Sequence, residues 1–216
     1  MKLRDSHIAL PADGHWLLAR LHHSPLVRGL VVLIGSDDAR EPPEAPGLVD
    51  ALHRHGFASL LLDLLDERER ERDADAPYNI PLLATRLLAA AEWAAHQPDL
   101  KALPLLVVSR GTACAAAVRA AARAPDTFRA LVCLGGRMDL AGAEPLARLA
   151  APTRVIVAED DPDLPIIERA QAELATAHDL QRLPAAGAPA RAATLALEWL
   201  AHWRDAPPSG AEPDGR

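Results

Sequence analysis

Short unbroken apolar runs alternate along this chain with stretches whose apolar positions recur every three or four residues. That alternation predicts a mainly parallel sheet with helices crossing over it. Leu30-Val31-Val32-Leu33-Ile34 carries no polar alternation, which predicts a central strand covered on both faces. Residues 58–62, 105–108, 130–134 and 154–158 read the same way, with 180–183 as a last short strand. Residues 8–10 and 17–22 predict an opening antiparallel pair turned at Asp13-Gly14. Helices are predicted over 48–55 (stopped by Gly56), 80–96 (capped by Asn79, with Pro81 in its first turn), 112–124, 164–177 and 190–203. The strands before and after residue 105, joined by helices on both faces, make a doubly wound α/β sheet.

Two segments stand apart from this rhythm. Residues 66–73, Asp-Glu-Arg-Glu-Arg-Glu-Arg-Asp, alternate in sign and nearly cancel, which predicts a solvated loop or frayed helix and not a recognition tail. Residues 205–216 are rich in Pro, Gly and charge and predict a disordered tail behind one domain over residues 1–204. A chain of 216 residues, half of them hydrophobic, can bury one substantial core. With an aromatic share of 3%, that core has to be built from Leu, Val and Ala.

Charge and cysteine content narrow the function. A net charge of −7 with Arg interleaved among Glu and Asp offers nothing to balance a phosphate backbone, so nucleic acid is not the expected partner. Cys114 and Cys133 make neither a disulfide framework nor a Cys-x-x-Cys pair. No apolar run suits a signal peptide or a membrane span, so the expectation is a cytoplasmic protein without a membrane partner. His22-His23 and His53-x-His55 invite a metal reading. Neighbours on a strand point to opposite faces, however, and i,i+2 positions on a helix do not converge on one ion. No metal and no cofactor are expected, glycine-rich phosphate loops being absent as well.

The chemistry centres on Leu105-Leu106-Val107-Val108-Ser109-Arg110-Gly111-Thr112-Ala113, a buried strand running through a sharp turn into an Ala-rich helix. With Gly56-Phe57-Ala58-Ser59-Leu60-Leu61-Leu62-Asp63, Asn79-Ile80-Pro81, Gly135-Gly136-Arg137-Met138-Asp139 and Ala151-Pro152-Thr153, this segment resembles the small bacterial dienelactone-hydrolase-like members of the α/β-hydrolase superfamily. The resemblance implies the α/β-hydrolase fold over most of the chain. It also implies a Gly-x-Ser-x-Gly elbow, but the ungapped reading here is Ser109-x-Gly111-x-Ala113, with Gly111 at the nucleophile position.

Other positions follow from the same resemblance. The oxyanion segment reads Ile34-Gly35-Ser36-Asp37-Asp38, where His-Gly is expected and where two carboxylates would oppose developing negative charge. Asp161 matches the catalytic acid. Ala188 occupies the place of the base, with no His between His178 and His202. The expectation is a degenerate triad (Gly111, Asp161, Ala188) in a non-hydrolytic ligand-binding or interaction protein. The alternative is a carboxyl-ester hydrolase using Ser109 in an elbow shifted by two residues, which would still lack a base. Cys114 reads as a small buried helical residue and Asp139 as a loop cap or partner of Arg137. A ligand would occupy the vestigial cleft walled by Gly35, Ser36, Asp37, Ser109, Arg110 and Gly111, where Arg110 would meet an anion or pair with Asp37 or Asp38. The sequence leaves the oligomeric state open.

Overall fold

The structure, a computed structural model, describes residues 4–35, 47–184 and 188–207. Among the described residues eight strands form one sheet: β1 (Arg4–Ala12), β2 (His15–His23), β3 (Gly29–Gly35), β4 (Phe57–Asp63), β5 (Leu105–Arg110), β6 (Ala130–Leu134), β7 (Thr153–Ala158) and β8 (His178–Leu183). Their order across the sheet is β1-β2-β4-β3-β5-β6-β7-β8. The pairs β1–β2 and β2–β4 are antiparallel, and every pair from β4 to β8 is parallel. Asp13 at φ 51° and Gly14 at φ 74° turn the opening hairpin, the pair of positive φ values whose twist matches that of the flanking strands.

The described residues form seven α-helices: α1 (Leu48–Arg54), α2 (Glu67–Arg72), α3 (Ile80–His96), α4 (Ala113–Arg123), α5 (Ala143–Arg148), α6 (Leu164–Ala172) and α7 (Ala188–Asp205). One apolar layer sets Leu30, Val32, Ile34, Leu60 and Val107 against α3 and α4. The other sets Val31, Leu33, Leu61, Leu106 and Val108 against Leu48 and Leu52 of α1 and Leu200 of α7. Alternate residues of each central strand therefore feed opposite layers, which is why these strands are apolar without a break. Alanines 115, 116, 117, 120 and 121 of α4 are fully buried, and their small side chains let this helix lie close on the sheet where aromatic residues are scarce.

The sequence reading needs correction at several elements. The charge-alternating segment is the well-capped α2. The Glu69 amide donates to the Asp66 carboxylate at 2.8 Å, and the Asp66 amide donates back to Glu69 at 2.9 Å. This capping box supplies the partners that alternating charge alone does not reveal. The helix predicted over 164–177 stops at Ala172, and α5 and two short 3-10 turns, Ala76–Tyr78 and Met138–Ala141, went unpredicted. Asp205, assigned to the tail, still belongs to α7, and residues 208–216 lie outside the described part. Among the described residues no helix is long and apolar enough to cross a membrane.

Candidate functional site

Parallel strands bring their C-terminal ends to one side of the sheet, and the loops leaving them build the candidate site. Gly35 ends β3, Arg110 ends β5, Leu134 ends β6 and Ala158 ends β7. The chain then turns from β5 into α4 at Gly111, whose φ of 62° lies in the left-handed region. A residue held there would carry its side chain outward from the sharp strand-to-helix turn, the geometry that a nucleophile elbow requires. Gly111 adopts it without the penalty that a side chain brings.

Its surroundings are equally bare. Gly135 at φ 65° and Gly136 at φ 85° follow β6, and the Arg137 amide donates to the Gly111 carbonyl at 3.3 Å. Asp161, in the turn after β7, accepts from the Asp163 amide at 2.8 Å through one oxygen. Its other oxygen faces Gly135, 3.6 Å from where a β-carbon would stand. Gly111, Gly136, Gly135 and Asp161 thus form one continuous corner. Arg137 and Asp139 close its side with two hydrogen bonds of 2.8 Å, and the Arg137 guanidinium holds the Asp139 carboxyl below the usual range. Asp139 is the Arg137 partner that the sequence suggested.

Ser109 does not belong to this corner, which corrects its place among the cleft residues. It lies inside β5 and is fully buried, and its hydroxyl donates to the Val132 carbonyl at 3.2 Å with Cys114 Sγ at 3.4 Å. Its backbone is extended, since Asp13 is the one described non-glycine residue at positive φ. Arg110 is exposed at the strand end. Ser36, Asp37 and Asp38 lie outside the described residues. Ala188 opens α7. His178 stands at the start of β8, and His202 lies near the end of α7 against the edge of Trp203. Both sit at the opposite pole of the sheet, where Arg204 of α7 donates to the His55 carbonyl. Neither imidazole reaches the elbow. Cys114 is a buried thiol outside any disulfide and donates to the Gly135 carbonyl at 3.2 Å.

The chain matches no family model. A dienelactone hydrolase from Anabaena variabilis superposes with a TM-score of 0.86 at 32% identity, over 94% of this chain and 99% of that one. The chain belongs to the dienelactone-hydrolase-like α/β-hydrolases. Est1E of Butyrivibrio proteoclasticus shares the fold at a TM-score of 0.74 and 13% identity, over 91% of this chain and 98% of its own. A Mycobacterium tuberculosis protein, provisionally named a phosphoribosyl transferase, is 35% identical over 207 residues. Those residues are 92% of this chain and 46% of that protein, so the chain spans about half the length of the curated relatives it matches.

Two further clusters escaped sequence reasoning. His15, Asp66 and Glu69 bring one ligand-type atom each within 4.8 Å of one another. Both carboxylates are already engaged, Asp66 in the capping box and Glu69 in hydrogen bonds of 2.8 and 2.5 Å from the buried Arg86. The second cluster joins one histidine from each pair that the sequence singled out. His22 Nδ1 lies 3.3 Å and His53 Nε2 3.0 Å from Ser59 Oγ, while His22 Nε2 lies 3.2 Å from Asp5. The order carboxylate, imidazole, hydroxyl resembles a triad, but Ser59 is fully buried in β4 and no carbonyl can reach it. No short-range pattern could have revealed this cluster, since its members come from β1, β2, α1 and β4.

Proposed function

We propose that this protein is a non-hydrolytic member of its family, retained as a ligand-binding or interaction protein with a small molecule held in the vestigial cleft. The observation that carries the reading is Gly111 at the φ 62° turn between β5 and α4, where attack on an acyl carbon would need an oxygen or sulfur. The absence of any histidine between His178 and His202 supports it, because a hydroxyl without a base keeps its proton at neutral pH. Two buried cysteines outside any disulfide accord with a cytoplasmic location. The burial and hydrogen bonding of Ser109 speak against the shifted elbow.

Labelling with a fluorophosphonate probe, followed by peptide mass spectrometry, tests this reading. No labelling is expected beside an active hydrolase control. Stoichiometric labelling at Ser109 would overturn the reading and make the protein a serine ester hydrolase.

A second reading rests on the Mycobacterium tuberculosis relative. Its name assigns it to phosphoribosyl transfer, while this chain, which matches 46% of it, carries a hydrolase fold. On this reading the domain serves that chemistry by binding a phosphoribosyl compound in the cleft. Thermal stabilisation by ribose 5-phosphate, absent with a short-chain ester, would favour it over the first reading.

A further inference from the structure

The turn at Gly111 does more than shape the elbow, because it folds the start of α4 back over the strands it leaves. Ser109 and Cys133 stand side by side in the β5–β6 register, and Cys114 arrives beside them from the first turn of α4. The Ser109 hydroxyl lies 3.4 Å from Cys114 Sγ and 3.6 Å from Cys133 Sγ. The two thiols also share a hydrogen bond with each other. All three side chains are fully buried. The pair is nonetheless shallow. Cys114 Sγ donates to the Gly135 carbonyl at 3.2 Å, and Gly135 is a half-buried residue of the elbow corner. One carbonyl therefore separates the two sulfurs from the floor of the site.

We propose that Cys114 and Cys133 form a reversible internal disulfide with hydrogen peroxide as oxidant, and that this bond carries the redox state of the surroundings to the elbow corner. The Cys133 sulfur attacks one peroxide oxygen, the O–O bond breaks, and the departing hydroxide takes the thiol proton and leaves as water. Cys133 is then a sulfenic acid. The Cys114 sulfur attacks the Cys133 sulfur, the S–O bond breaks, and a second hydroxide leaves as water with the Cys114 proton. Two thiols lose two electrons in total, and one peroxide is reduced to two waters.

The order of attack follows from the surroundings of Cys133. The Cys114 hydrogen bond lowers its thiol below the ordinary value, burial opposes this, and the Ser109 hydroxyl adds to the lowering. Peroxide is little larger than water, whereas burial shields the pair from bulkier oxidants.

The consequence lies at the corner. A disulfide sulfur has no proton, so the Gly135 carbonyl loses the hydrogen bond that Cys114 donates. Ser109 keeps the Val132 carbonyl as an acceptor in both states, so β5 stays in place. The bond also closes a loop of roughly 20 residues between α4 and β6, which restrains the unfolded chain. None of this depends on whether the cleft holds a ligand.

Peptide mapping of the wild-type chain after treatment with hydrogen peroxide tests the disulfide. Trypsin cuts after Arg110, Arg119, Arg129 and Arg137, which places the two cysteines in separate peptides, 111–119 and 130–137. Remaining thiols are alkylated and the chain is digested without reductant. The two peptides are expected to appear joined, lighter by two hydrogens than their sum, and dithiothreitol should separate them. Amide spectra of the same oxidised protein should show the Gly135 and Gly136 resonances displaced. Gly29 and Gly56, at the other pole of the sheet, should stay in place. In Cys133→Ala, peroxide should leave Gly135 and Gly136 where they were. Four results would each overturn the proposal: sulfinic or sulfonic acid on separate cysteines, linkage between two chains, thiols that remain alkylatable, or a disulfide that leaves the Gly135 and Gly136 resonances unmoved.

Discussion

Gly136 lies so close to Gly111 that a β-carbon built on it would stand 2.7 Å from the Gly111 nitrogen, with the Gly111 carbonyl oxygen nearer still. The loop after β6 and the elbow after β5 are thus fitted backbone to backbone. Gly136 also has φ 85°, a conformation that side chains resist. Gly136→Ala combines overpacking with backbone strain and should destabilise the fold by about 2–4 kcal/mol. Urea unfolding would read this as a lower midpoint at an unchanged slope.

The buried Arg86 predicts an acid-sensitive element. Its side chain is 1% exposed and donates to the Leu64 carbonyl and to both oxygens of Glu69. The Arg86 hydrogen bonds, helped by the Asp66 amide, hold the Glu69 carboxyl below its usual range. The resulting stability is complete above the ordinary carboxylate value and is lost as pH falls through the depressed one. Glu69→Gln should therefore unfold more easily at neutral pH, by roughly 1–3 kcal/mol, with a flatter decline as pH falls below the ordinary carboxylate range. Parallel acid limbs for the two proteins would refute the assignment.

Ser109→Ala should cost about 1 kcal/mol, the worth of one buried neutral hydrogen bond, through loss of the Val132 contact. It should leave any turnover of a short-chain nitrophenyl ester unchanged. A rate that collapsed in this variant would instead make the hydroxyl chemically active.

Addition of zinc or calcium should leave the melting temperature where it was. His15 faces Asp66 at 3.7 Å and Glu69 at 3.9 Å, but a cation would have to displace Arg86 from Glu69 and break the cap of α2. Stabilisation by either ion that disappeared in His15→Ala would show that the ion wins this competition.

Removing the cap itself tests why α2 is a helix. Asp66→Ala deletes the acceptor for the Glu69 amide and should cost about 1 kcal/mol. Hydrogen exchange should report the loss at residues 67–72 and spare α3.

Periodicity made the central strands and the long helices legible because burial on both faces leaves an unbroken apolar run. It failed at α2, where hydrogen bonds between Asp66 and Glu69, not an apolar stripe, define the helix. It failed again after residue 172, where an apolar-periodic pattern continues but the chain turns toward β8. At the site, the strand–turn–helix around Gly111 was readable from local sequence alone, and so was the pairing of Arg137 with Asp139. The burial of Ser109 was not, since it depends on Val132 and Cys133 across a neighbouring strand. The meeting of His22 with His53 was hidden for the same reason: each pair was judged within its own element, and the contact is made between elements.

The corner formed by Gly111, Gly135 and Gly136 has a consequence for recognition. On the proposed non-hydrolytic reading, this end of the sheet offers a pavement of amides and carbonyls where a working elbow would present a reactive side chain. A visitor resting on it meets groups that are the same in every protein and carry no chemical vocabulary of their own. On that reading, discrimination among visitors would fall to the rim, to Arg110 and to the Arg137–Asp139 pair, with the floor contributing only its shape.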